Sequence, residues 1–142
     1  MRMIKLKDMI REVDAPTISS LALLANQLQQ FLEETNHTDW YMQGGCYSFA
    51  AALHEVLQGS RIILIGDDIS DLAHACVLWK GKYIDYNTMS SNIQDIMKEL
   101  ALQGRPKART GKISDVSREH NFDRMEVKQI VASLTSPIPE RR

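Results

Sequence analysis

The chain has 142 residues, 44% hydrophobic and 25% charged, a balance that supports one packed domain and excludes a mainly disordered chain. Seventeen Lys and Arg against eighteen Asp and Glu leave a formal net charge of -1. The strong positive bias of a nucleic-acid binder is missing, so nucleic acid is not the expected partner. No apolar run reaches the ~20 residues that span a bilayer, so no membrane partner is expected. The opening Met1 to Asp8 is broken by charges and lacks the apolar core of a signal peptide. The two cysteines make no disulfide framework and fit a reducing, cytoplasmic setting, or delivery without a classical signal peptide.

In chain order, Lys5 to Val13 reads as a short helix, interrupted at Pro16. Thr17 is a candidate N-cap for a helix from about Ile18 to Glu34, whose Leu21, Leu24, Leu28, Phe31 and Leu32 recur at three- and four-residue steps. Asn36 to Gly45 reads as a loop holding Trp40 and Tyr41. A helix follows from Cys46 to about Gln58, with Phe49, Ala50, Leu53 and Leu57 as its buried stripe and Gly59 as its stop.

Arg61 to Ile65 is rich in β-branched residues and reads as a strand, and Gly66-Asp67-Asp68 as a turn. Ala73 to Trp79 and Lys82 to Asn87 read as two strands joined by a two-residue hairpin turn at Lys80-Gly81. Asn92 to Leu102 reads as helix, Gln103 to Ser114 as loop, and Asp123 to Leu134 as a last helix. The expected fold is α+β: N-terminal helices packed on a small antiparallel sheet, then a helical C-terminal part. One domain is expected over residues 1–135, with a mobile tail at 136–142.

Chemistry concentrates at Gly44-Gly45-Cys46-Tyr47, His74 and Asp85. The two glycines permit unusual torsions and close approach of a substrate to the backbone. A cysteine that opens a helix meets free amides and the positive end of the macrodipole, which favour the thiolate. The Cys46 amide can also face a substrate carbonyl oxygen as one oxyanion donor, and the Gln43 side chain can supply a second. Trp40, Tyr41 and Tyr47 are the aromatic groups available to line an extended peptide cleft.

The hairpin count relates the other two residues. If Trp79 pairs with Lys82, Cys76 lies opposite Asp85 and His74 opposite Asn87. Asp85 is then the diagonal neighbour of His74 on the same face, roughly 7 Å away at the backbone. Asp85 and Asn87 are both candidates to orient the imidazole. Asp85 is preferred because it also stabilises the imidazolium. A one-residue register slip would turn both away.

Gly45-Cys46-Tyr47-Ser48-Phe49-Ala50, then His74-Ala75-Cys76-Val77, then Tyr83-Ile84-Asp85 resembles the core of the papain-like and transglutaminase-like cysteine enzyme superfamily. Members carry, in this order, a Cys on a helix N-terminus, a His on a strand and an Asp or Asn on the next strand. The resemblance covers about Trp40 to Asn87 and extends to small papain-fold domains of bacterial toxins, effectors and mobile elements. It implies Cys46 as nucleophile, His74 as base and Asp85 as orienter. Papain-type enzymes place their oxyanion glutamine further upstream than Gln43, where this chain has Trp40. The short interval from Cys46 to His74 leaves no room for large substrate-binding insertions.

The expected activity is that of a cysteine hydrolase or acyl transferase working through a thioester, as peptidase or glutamine deamidase on a protein or peptide substrate. No cofactor and no metal is expected. The alternative is a catalytically silent papain-fold binding module, an inhibitor or adaptor for a host protein. Cys46, His74, Cys76 and Asp85 are also a conceivable zinc set, but no Cys-x-x-Cys pair supports it. Asp67, Asp68 and Asp71, and the basic run Arg105 to Lys112, read as solvated loops. His54 is too far along its helix from Cys46 to act with it, and His37 and His120 have no evident partners.

Overall fold

The computed structural model describes residues 17–35, 45–69, 72–100, 102 and 104–136. The expected helix at Lys5 to Val13, most of the loop before Cys46 and the end of the tail lie outside them.

The described chain is mixed α and β, with five helices and one five-stranded antiparallel sheet. In order these are α1 (Leu21–Thr35), α2 (Cys46–Val56), β1 (Arg61–Gly66), β2 (His74–Trp79), β3 (Lys82–Ile84), β4 (Met89–Ser90), α3 (Gln94–Met97), β5 (Lys107–Gly111), α4 (Ile113–Ser117) and α5 (Arg124–Thr135). The strand order is β4-β3-β2-β1-β5. β1 is thus an interior strand, flanked by β2 and β5, and buried from Ile62 onward, as its uninterrupted Ile-Ile-Leu-Ile run requires of a strand covered on both faces.

The larger core lies on the face of Ile62, Leu64, Ala75, Val77, Trp79 and Ile84, against Phe49, Leu53 and Val56 of α2. The opposite face carries Ile63, Ile65 and Cys76 beneath Ile96 and Met97 of α3. Only α2 of the two described N-terminal helices packs directly and extensively on the sheet. α1 packs on α5 and reaches α2 through Phe31, whose ring lies 5.8 Å from that of Phe49. Ser48 fixes α5 on α2: its buried hydroxyl accepts the Asp123 amide at 2.9 Å, and Asp123 in turn caps α5 by accepting from the Met125 amide.

Several expected boundaries move for identifiable reasons. α1 starts at Leu21, because Ser20 rather than Thr17 caps it by accepting the Leu23 amide at 3.1 Å. Ile18 is instead buried, with its amide donating to the Val56 carbonyl. The strand expected to run to Asn87 stops at Ile84, because Asp85 turns the chain with its own side chain. The helix expected over Asn92 to Leu102 is regular only from Gln94 to Met97 and continues as three-residue turns through Leu100. The loop expected at Gln103 to Ser114 contains β5 and the start of α4. Ser136, assigned to a mobile tail, is tied down: its carbonyl accepts from the Gln27 amide and its hydroxyl donates to the Ala132 carbonyl.

The hairpin register is as counted over three pairs, but the counted pairs Cys76–Asp85 and His74–Asn87 do not form, because the chain turns at Asp85. Trp79 pairs with Lys82, Leu78 with Tyr83 and Val77 with Ile84. Lys80 at φ 50 and Gly81 at φ 77 make the two-residue turn whose twist matches the strands, and the Lys80 ammonium lies 5.1 Å from the Trp79 ring centre.

Candidate active site

Cys46 is the first residue of α2, and among the described residues no side chain caps that helix end. Gly45 is buried and holds φ -68 and ψ -8, ordinary helical torsions that any residue adopts. The expectation that Gly45 supplies an unusual backbone conformation is corrected. Its place in the wall is that of a small buried residue. Gly44, Gln43, Trp40 and Tyr41 lie outside the described residues.

His74 opens β2, level with Ile65 of β1. Its Nε2 lies 3.0 Å from Oδ2 of Asp85. The other carboxylate oxygen of Asp85, Oδ1, accepts the amides of Asn87 at 2.9 Å and Thr88 at 2.7 Å, and the Asp85 amide donates to the Thr88 carbonyl. The tight turn after β3 thus aims one oxygen of Asp85 at the imidazole. Cys46 adjoins the same ring and helps to raise the His74 pKa. The three side chains adjoin in the order thiol, imidazole, carboxylate.

That line is interior. Cys46 is 3% exposed, His74 2% and Asp85 5%. Burial pulls the His74 pKa down, but hydrogen bonds to Asp85 and Cys46, and the negative charges of both, more than offset it and raise the value to about 9. The arrangement favours the protonated form of the His74 ring. Burial, with the charges of Asp85 and Cys46 behind it, pushes the Cys76 thiol well up, which keeps that second sulfur protonated. Burial, then the charges of Cys46 and Glu119, likewise raise the Tyr47 phenol.

Asn87, the other candidate for the third position, is exposed and donates its side-chain amide to Glu99 at 3.0 Å. It contributes its backbone N–H to Asp85 instead. Tyr47 is buried in the larger core, so its ring is a packing group rather than an open cleft wall. Sequence reasoning missed Tyr86. Its ring stands edge-on to His74 at 6.5 Å and edge-on to Phe49 of α2 at 6.4 Å, bridging the strand that carries the imidazole and the helix that carries the thiol. The available signal was its position next to Asp85, within the stretch from Lys82 to Asn87 that reads as strand.

Among the described residues, no group of three or more His, Cys, Asp or Glu is arranged to hold a metal ion, and no helix is long and apolar enough to cross a membrane. His54 faces Ser60 at 3.1 Å, away from this site. Comparison of the chain with protein-family models, with curated proteins and with solved structures finds no match.

Proposed function

We propose that the chain is a cysteine hydrolase or acyl transferase with a papain-like or transglutaminase-like core, acting on a protein or peptide through a thioester. One observation carries this reading: Asp85 is hydrogen-bonded to His74, and His74 adjoins Cys46 at the start of a helix, all three buried. In the proposed reaction the Cys46 thiolate attacks an amide or ester carbonyl, and the carbon–sulfur bond forms as the carbonyl oxygen takes negative charge. In this reading the Cys46 amide stabilises that oxygen. The His74 imidazolium gives its proton to the leaving amine or alkoxide. His74, now neutral, takes a proton from water or an acceptor amine, which opens the thioester and restores the thiol system. Asp85 holds the imidazole plane and its charge through the cycle.

The test is a pre-steady-state reaction with a p-nitrophenyl ester. A stoichiometric burst is expected, with an acyl group found on Cys46 by mass spectrometry and lost in Cys46→Ala. An unmodified Cys46 in folded protein would sink the proposal. A second reading has its own support in the low exposure of Cys46 and His74: a silent binding module that retains the triad geometry in its interior. It expects Cys46→Ala to keep the full biological effect and the thiol to resist both ester and alkylating agent.

A further inference from the structure

We propose that the free edge of β5 is a docking edge for an acidic, extended segment of the protein substrate, taken up as a sixth strand. The word substrate rests on the cysteine-enzyme reading above; the docking itself does not. β5 pairs along its whole length with β1, and its other side is the rim of the sheet among the described residues. A strand at a rim presents a row of backbone N–H and C=O groups that another extended chain can pair. The opposite rim, β4, has only Met89 and Ser90 and is too short to template a partner. β5 has five residues, no proline, and exposed side chains from Lys107 to Thr110.

Charge selects the partner. Arg105, Lys107, Arg109 and Lys112 fall within eight residues that hold no acid. Arg105 and Arg109 make no ion pair among the described residues. Asp115 is engaged by Arg118 and the Lys112 amide. Pairing β5 with a second copy of itself would set like charges side by side, which is unfavourable. The charges that repel a second copy attract a strand of carboxylates.

Register supplies spacing and place. Lys107 and Arg109 stand level with Gly66 and Leu64, whereas Ala108 and Thr110 belong to the other face. Leu64, Gly66, Lys107, Ala108 and Arg109 also line a shallow depression at this edge. A docked strand would therefore carry acids at every second residue, facing Lys107 and Arg109, and compact apolar residues between them. Ala108, Ile65 and His74 lie in one row across the sheet, so β5 is two strand spacings, about 10 Å, from the backbone of His74. The docking edge is at the active-site end of the sheet.

A fluorescent ten-residue alternating Glu-Val peptide tests this with the full chain, read by anisotropy and by amide exchange. Saturable binding that weakens with salt is expected, with slowed exchange at amides within residues 107–111. Arg105→Glu with Arg109→Glu should weaken it by roughly tenfold or more, while Arg109→Lys keeps it within a few-fold. Circular dichroism establishes that each variant is folded. The Cys46→Ala protein should bind the peptide as wild type does, so a failed burst reaction and a failed docking edge are separable results. No binding below millimolar peptide, binding without protection in β5, or tighter binding of a single-stranded oligonucleotide of equal charge overturns the proposal.

Discussion

The imidazole of His74 and the carboxylate of Asp85 meet at 3.0 Å, eleven residues apart in sequence and both inside the protein. Two backbone amides, those of Asn87 and Thr88, hold the other oxygen of Asp85. The carboxylate therefore has little freedom to turn, and the ring it faces inherits that order. A charged pair in the interior is costly unless its remaining hydrogen-bonding capacity is used. Here the amides of the turn use it.

Replacing Asp85 should be the most telling change at the site. Asp85→Asn keeps an oxygen for the two turn amides but removes the charge and lets the imidazole take the wrong tautomer. Turnover is expected to fall by on the order of 10³- to 10⁴-fold with the fold intact. Asn87→Ala leaves its backbone N–H in place and removes only an exposed contact with Glu99. It should change stability by no more than ~0.5 kcal/mol and turnover by a few-fold at most. Steady-state rates on both folded variants check the order of effects, and the reverse order would move the orienting role to Asn87.

The two cysteines are expected to react differently with alkylating agents. Cys46 adjoins a raised imidazole, whereas Cys76 is fully buried with its thiol pushed up by burial and by neighbouring charge. Limited iodoacetamide treatment near neutral pH, mapped by mass spectrometry, should label Cys46 first. His74→Gln should slow that labelling. Preferential labelling of Cys76 would falsify the activated thiol.

The raised His74 sets both a rate limit and a stability window. Its folded pKa of about 9 lies above the unfolded value near 6.5. The stabilisation of the protonated ring is therefore complete below about pH 6.5 and is lost as pH rises through about 9. Urea midpoints should fall across that interval in wild type, and less steeply in His74→Gln. Leaving-group protonation needs the same imidazolium, so turnover should decline above about pH 9. An alkaline limb near 6.5 would show that Asp85 and Cys46 do not hold the proton on the ring.

The part of the site legible in the sequence is the part set by short-range rules. Lys80-Gly81 fixed the hairpin register, and the register brought Asp85 within diagonal reach of His74. Gly45 misled, because a glycine before a helix is equally compatible with ordinary helical torsions. Tyr86 was hidden because the side chain of Asp85 ends the strand early, an effect that alternation along a strand does not reveal. β5 was read as loop because neither of its faces is buried. A strand exposed on both sides has no hydrophobic period, and its existence depends on pairing with β1, which is a tertiary fact.

That pairing can be tested at Gly111, which lies opposite Ile62 in the β1–β5 ladder. A Cβ at this position would overlap Cδ1 of Leu64 and sit 2.6 Å from its Cγ and 3.2 Å from Oδ2 of Asp115. Leu64 is 1% exposed within the larger core, so it has little room to move aside. Asp115 is held by the Lys112 amide and by Arg118. Gly111→Ala should therefore displace the end of β5 and cost about 1–3 kcal/mol, as overpacking against a filled interior does. Urea unfolding measures the loss. Leu64→Ala in the same chain opens the needed space, so the double variant should lose less than the sum of the two single losses. Full additivity would place Gly111 away from Leu64 and break the register on which the docking edge depends.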